Sequence, residues 1–193
     1  MNKNREKVRE LVGISVLASI VVVLQLISNY ILPSNLAITL ALIPIVVGSI
    51  LYGPKGGMIL GLTMGVVVCT APTTVMFLQY SITGTIFVCL LKSGIAGCVA
   101  GFIYKALAKK KRKAGIILST ISVPIINTVL FTIGAFTIFL PVIEQEAAKY
   151  AVDAITLVFL GYIGFNFILE FLINSILSPV VIRIVEMFKN KRK

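Results

Sequence analysis

Two ionisable side chains stand in stretches of this sequence that are otherwise almost free of charge. Lys92 lies near the middle of the apolar stretch 81–107, and Glu170 lies near the middle of the stretch 155–188. An ionisable group in such surroundings is costly unless it is paired or faces a polar cavity. These two residues are therefore the first candidates for a functional role.

Three asparagines accompany the two charges at similar depth. Asn127 lies midway along the stretch 115–140, just after a proline. Asn166 and Asn174 flank Glu170 at intervals of four residues, which places all three on one face of a helix. A polar face of this kind is expected to point into a helical bundle rather than into lipid.

Two interpretations of these residues remain open. Lys92 and Glu170 can pair with each other while the asparagines join neighbouring helices by hydrogen bonds. Alternatively, all five line a small cavity that binds a polar substrate. Both can hold together if the pair opens when a ligand enters.

Three further polar residues could close such a cavity from outside, although ordinary interface positions explain them better. Gln79 and Tyr80 precede the stretch 81–107, and Asn35 follows the first apolar stretch. We include all three among the predicted substrate-binding residues.

No pattern in the chain indicates catalysis, a cofactor or a metal site. The sequence contains no histidine, no Walker-type glycine loop and no nucleophile beside a base. Cys69, Cys89 and Cys98 lack CxxC spacing and lie in apolar segments, where cysteine usually acts as a small buried hydrophobe. We therefore predict that the protein is not an enzyme and cannot hydrolyse ATP by itself.

The composition explains why so few charges lie in these stretches. Of the 193 residues, 58% are hydrophobic and 13% are charged, whereas soluble domains carry about 25% charged residues. Residues 11–54 contain no charge at all, and neither do residues 56–91. Only a multi-pass protein of the cell membrane fits this pattern.

The apolar stretches predict an all-α membrane protein with six transmembrane helices in one substrate-binding domain, residues 1–193. The first stretch is too long for the apolar region of a signal peptide and lacks a cleavage site, so we interpret it as a retained span. A strong turn signal, residues 52–57, separates the second span from a short third span. The predicted spans are 8–28, 36–51, 58–70, 81–107, 115–140 and 155–188.

The basic residues predict the orientation. With six spans, 16 of the 18 lysines and arginines lie on one side, and both termini belong to that side. Five spans would place the two basic termini on opposite sides, against the positive-inside rule. Both termini are thus predicted to be cytoplasmic, and the net charge of +11 reflects topology and anionic lipid rather than nucleic acid.

One segment resembles a known family. Residues 41–57, ALIPIVVGSILYGPKGG, are similar to the junction of the second and third spans in S components of energy-coupling factor (ECF) transporters. Members carry an IP-x-x-x-G stretch there, followed by a GPK-x-G turn and a glycine-rich helix. Residues 124–127 resemble the fifth helix of the family, and residues 164–179 resemble the sixth.

The resemblance implies a membrane subunit that binds a vitamin or related micronutrient near the outer face, between spans four to six and the outer loops. It also implies partners: one membrane coupling subunit and two cytoplasmic ATPases. Members dock through small residues spaced four apart on the first helix. Ser15 and Ser19, with Ala18 between them, occupy those positions here.

The same resemblance bears on specificity. Riboflavin-binding members carry an aspartate-rich stretch where this chain has residues 37–41, AITLA, and thiamine-binding members use tryptophan, which this chain lacks. A lysine and several amides suit a small hydrogen-bonding anion such as pantothenate. In this interpretation Lys92 contacts a carboxylate, the asparagines bond hydroxyls or amides, and Glu170 holds Lys92 or accepts a hydrogen bond.

Two other functions remain as alternatives. Lys92 and Glu170 could serve a proton-coupled carrier that works alone, although the chain shows no internal repeat of the kind common in such carriers. A membrane adaptor that transports nothing is the second alternative. An adaptor would not require the polar face formed by Asn166, Glu170 and Asn174.

Overall fold

The computed structural model describes residues 3–31 and 39–190, with side chains for residues 4–31 and 39–188. All regular elements in these residues are helical, which confirms the all-α prediction. They are α1 (Lys3–Tyr30), α2 (Leu42–Val68), a 3₁₀ turn (Pro72–Thr74), α3 (Val75–Tyr80), α4 (Ile82–Leu107), α5 (Arg112–Thr137), α6 (Leu140–Lys149), α7 (Ala154–Thr156), a π-helix (Leu157–Gly164) and α8 (Phe165–Asn190).

Five helices in the described part of the chain are long and apolar enough to cross a membrane. The protein is therefore a multi-pass membrane protein, as predicted. The five are Asn4–Tyr30, Leu42–Val68, Ile82–Leu107, Arg112–Thr137 and the composite helix Ala154–Phe188.

Helix α2 differs from the predicted pair of spans 36–51 and 58–70. It continues through the predicted turn, and its one non-helical residue is Gly53, with φ 76° and ψ −171°. Only glycine adopts this conformation readily. The helix resumes at once because Pro54 is suited to the first position of a helix, where no N–H is needed. The turn is therefore a single residue rather than the predicted six.

The two arms of α2 nevertheless lie side by side. A Cβ on Gly48 would overlap the side chain of Leu60, and one on Gly57 would overlap Oγ of Ser49. In a straight helix, Gly48 and Leu60 would be about 18 Å apart, given a rise of about 1.5 Å per residue. The chain thus reverses its direction at Gly53, and α2 forms a hairpin.

The second arm of α2 packs against α4 with almost no side chain between the two backbones. A Cβ on Gly57 would overlap the carbonyl of Gly97, and a Cβ on Gly61 would overlap the carbonyl of Ser93. Small residues permit this approach in membrane helices. Ser49 strengthens the contact because its hydroxyl donates to the Gly97 carbonyl at 2.8 Å. This contact holds α4, and with it Lys92, in a fixed register against α2.

Two short helices, α3 and α6, were not predicted. Helix α3 contains Gln79 and Tyr80, which directly precede the predicted fourth span, 81–107. The chain breaks at Ser81, whose Oγ accepts a hydrogen bond from the Gly84 N–H and caps α4. Helix α6 follows the fifth span and buries Ile143.

The last span begins with a π-helix. Residues 157–164 adopt this form, and α8 continues from Phe165 without a break. π-Helical turns are rare and occur frequently at functional sites. In this protein the segment carries Gly161, Tyr162 and Ile163 into the wall of the cavity described next.

Candidate functional site

A cavity of about 580 Å³ lies among the helices. Its volume is within the range of about 300–1,000 Å³ that is typical of small-molecule sites. Its wall is formed by residues from α1, α2, the 3₁₀ turn, α3, α4, α5, α6, the π-helix and α8. The polar groups on this wall include Gln25, Ser28, Asn29, Thr39, Thr74, Thr85, Lys92, Asn127, Thr128, Glu146, Asn166 and Glu170.

Four of the predicted substrate-binding residues meet in this cavity, although their helices are far apart in sequence. Lys92 comes from α4, Asn127 from α5, and Asn166 and Glu170 from α8. The register of α4 against α2, and the four-residue spacing along α8, turn these polar groups toward one space. That these four residues bind a ligand stays a prediction.

Three other predicted residues, Asn174, Gln79 and Tyr80, are not part of the cavity wall. Asn174 is buried one helical turn beyond Glu170, and its amide donates to the Glu170 carbonyl at 2.8 Å. Gln79 and Tyr80 are exposed on α3. Asn35 lies outside the described residues.

Lys92 has no carboxylate partner in the described part of the protein. Its Nζ lies 5.2 Å from the centroid of the Phe131 ring, a cation–π contact that stabilises a charge only weakly. Among residues 4–31 and 39–188, the one ion pair within 4.0 Å joins Lys149 to Glu146. The predicted pairing of Lys92 with Glu170 is therefore not formed at that distance.

Glu170 instead holds the backbone that leads into α2. Its side chain is only 4% exposed, and its Oε1 accepts a hydrogen bond from the Thr39 N–H at 2.8 Å. The next residue, Leu40, donates its N–H to the hydroxyl of Ser28 at 3.2 Å. Two helices, α8 and α1, thus fix the entry to α2 beside the cavity.

Sequence reasoning missed the amides on α1. Gln25 donates from Nε2 to Oδ1 of Asn29 at 2.8 Å, and Asn29 donates from Nδ2 to the Val67 carbonyl at 3.1 Å. Gln25 and Asn29 both line the cavity. The signal for Gln25 in the sequence is the same one that singled out Asn127, an amide within an apolar span.

Two buried amide oxygens next to the cavity have no hydrogen-bond partner among the residues that the structure describes. They are Oε1 of Gln25, a residue 4% exposed, and Oδ1 of Asn127, a residue 6% exposed. A buried acceptor without a partner costs about 1–3 kcal/mol. Both oxygens are therefore suited to a ligand that brings hydrogen-bond donors.

Aromatic rings form the apolar part of the wall. Phe77 contacts Phe139 at 4.8 Å between centroids, Phe131 at 6.2 Å and Tyr162 at 6.0 Å. The pairs with Phe131 and Tyr162 are edge-on, a favourable arrangement for aromatic rings, and the pair with Phe139 is tilted. The rings exclude water from one side of the cavity, which strengthens any charge interaction within it.

Glu146 and Lys149 form an ion pair on α6, where Glu146 reaches the cavity wall. Nζ of Lys149 lies 2.6 Å from the Glu146 carboxylate, and this contact raises the pKa of Lys149 above its usual value. Glu146 is thus already neutralised by a neighbour. In the described residues, no group of three or more metal-ligating side chains is placed to hold a metal ion.

The predicted docking residues lie on two faces of α1. Ser15 and Ser19 are exposed, and the Ser19 hydroxyl donates to the Ser15 carbonyl at 3.1 Å. Ala18 is half-buried and packs beside Leu17 against the core. The two serines form a polar patch on the exposed surface of α1.

The fold and this cavity define a membrane-embedded binding protein, and comparison with known families gives its class. The family model for the substrate-specific component of ECF transporters matches residues 9–182. The chain belongs to this family, which confirms the resemblance drawn from residues 41–57.

Three relatives carry different substrates in their names. The chain is similar to the pantothenic acid transporter PanT of Lactococcus lactis subsp. cremoris, with 24% identity over 96% of this chain and 98% of the relative. It is 30% identical to the riboflavin transporter FmnP of Bacillus subtilis, over 96% and 97% of the two chains. It is also 30% identical to the thiamine transporter ThiT of Bacillus subtilis, over 67% and 68%. No solved structure gives a significant match.

Proposed function

We propose that this chain is the substrate-specificity subunit of an ECF-type importer and that it binds a small vitamin-like anion, with pantothenate as the ligand. The observation that carries the proposal is Lys92, a cation on the cavity wall without a carboxylate within 4.0 Å among the described side chains. A ligand carboxylate supplies the missing partner. Charge-assisted hydrogen bonds of this kind are about twice as strong as neutral ones.

The charged groups of the wall favour pantothenate over thiamine. Glu146 is already paired with Lys149, and Lys92 adds a positive charge to the wall, which repels the positive charge of thiamine. The unsatisfied oxygens of Gln25 and Asn127 suit the hydroxyl and amide donors of pantothenate. Similarity to PanT extends along nearly the whole length of both chains, as does similarity to FmnP, so the choice of pantothenate rests on the cavity.

We further propose six membrane-crossing segments with both termini in the cytoplasm. The reversal of α2 at Gly53 supports this count, because it adds one crossing to the five long helices. An alkaline phosphatase fused after Lys193 is expected to be inactive, since the enzyme works only outside the cytoplasm. Activity comparable to that of a secreted control would contradict the orientation.

In this proposal, transport requires partners. The chain captures its ligand at the outer face, and a membrane coupling subunit with two cytoplasmic ATPases drives its reorientation. ATP hydrolysis then belongs to the partners. Small residues on the first helix are suited to the coupling subunit because they let another helix approach closely.

Docking is tested by enlarging Ser15 and Ser19. The double replacement Ser15→Phe with Ser19→Phe is expected to lower recovery of the coupling subunit and ATPases in a pull-down by about ten-fold, because bulk on this patch keeps the helices apart. Pantothenate affinity should stay unchanged, since neither serine lines the cavity. Thr137→Phe, at an exposed position on α5, is the matched control and should retain the partners. Full recovery with the double variant would exclude this face as the docking surface.

A further inference from the structure

The orientation of the Gln25 amide follows from its neighbours. A backbone carbonyl can only accept, so the Val67 oxygen requires the NH₂ group of Asn29. This leaves Oδ1 of Asn29 to accept from the NH₂ group of Gln25. Gln25 must therefore keep its own oxygen for another donor, and no described group supplies one.

We propose that Gln25 is a specificity-determining residue whose carbonyl oxygen accepts a hydrogen bond from a hydroxyl group of the ligand. The inference rests on the proposed function and extends the binding site to α1. Asn29 acts as a positioning residue, because it holds the Gln25 amide with the oxygen free. A hydroxyl suits this position because it donates through a rotatable hydrogen and still accepts from a neighbour.

A second acceptor on α5 restricts the ligand further. Oδ1 of Asn127 is also buried without a partner, and Lys92 provides a cation on α4. Lys92 is therefore suited to a ligand carboxylate, whereas Asn127 and Gln25 are each suited to a hydrogen-bond donor of the ligand. The ligand class is a carboxylic acid with at least two hydrogen-bond donors, one of them a hydroxyl, and pantothenate belongs to it.

Calorimetric titration of the purified full chain tests Gln25 with two probes. One is pantothenate, and the other is its analogue in which both hydroxyl groups are replaced by hydrogen. Gln25→Met keeps the size and removes the amide, which supplies both the free acceptor and the donor to Asn29. We expect Gln25→Met to weaken pantothenate binding about ten-fold and to leave binding of the analogue unchanged. Gln145→Met, at an exposed position on α6, is the matched control and should bind both probes as the natural chain does.

The possible outcomes separate the two proposals. If the natural chain binds pantothenate and Gln25→Met binds it equally well, the role of Gln25 is overturned while the proposed function stands. An equal loss for both probes would assign Gln25 to the general shape of the cavity and would also overturn its role. If the natural chain does not bind pantothenate, the proposed ligand is wrong, and the inference falls with it.

Discussion

Replacing Lys92 by alanine should weaken pantothenate binding by at least about 100-fold, because a carboxylate in the cavity would lose its only counter-charge, a loss of about 2–5 kcal/mol in desolvated pairs. Lys92 forms no ion pair within 4.0 Å among the described side chains, so the empty protein should remain folded without it. Equilibrium titration of the purified chain with pantothenate measures the change directly.

Two comparisons make this experiment decisive. Lys55→Ala removes an exposed lysine beside the α2 bend, outside the cavity wall, and should leave the affinity unchanged. Riboflavin and thiamine, added in excess, should not displace bound pantothenate from the natural chain. Equal affinity in Lys92→Ala and the natural chain would contradict the proposed anion contact.

The second large effect concerns the contact between α2 and α4. Gly97→Ala would place a methyl group against the carbonyl of Gly57, and the backbone cannot turn aside as a flexible side chain can. We expect the free energy of unfolding to fall by about 2–4 kcal/mol, at the upper end of overpacking effects. Lys92 lies five residues away on α4, and a shift of α4 against α2 should displace it. Pantothenate binding should therefore weaken too. Thermal unfolding of the purified variants measures the first effect.

Gly94→Ala is the matched control on the same helix. A methyl group there would meet only the end of the Leu62 side chain, at 3.1 Å from Cδ2. Because alanine also favours a helix by about 1 kcal/mol over glycine, this change should be close to neutral. Similar stability of Gly94→Ala and Gly97→Ala would show that the backbone approach at Gly97 does not limit packing.

The sequence predicted the polar groups of the cavity better than it predicted the arrangement of the helices around it. Lys92 and Glu170 could be selected because lipid tolerates neither, and hydrophobic periodicity placed Asn166 on the same helix face as Glu170. Periodicity cannot give depth, however. Asn174 shares that face but lies one turn beyond the cavity, where it bonds to the backbone of its own helix.

The errors have local causes. Gln79 and Tyr80 were expected to close the cavity at the start of the fourth span, but they lie exposed on the separate helix α3, which ends where the Ser81 side chain caps α4. The Gly53 turn was expected to occupy six residues, although one glycine with positive φ reverses the chain. Gln25 was missed since only the three-dimensional fold brings α1 to the same cavity as α4, α5 and α8.

Uptake into proteoliposomes tests the central claim most directly. The chain reconstituted with its coupling subunit and two ATPases should accumulate labelled pantothenate when ATP is supplied to the ATPases. The chain reconstituted alone should accumulate none, with or without a pH gradient across the membrane. Accumulation by the chain alone, driven by that gradient, would contradict the proposal and favour a proton-coupled carrier built on Lys92 and Glu170.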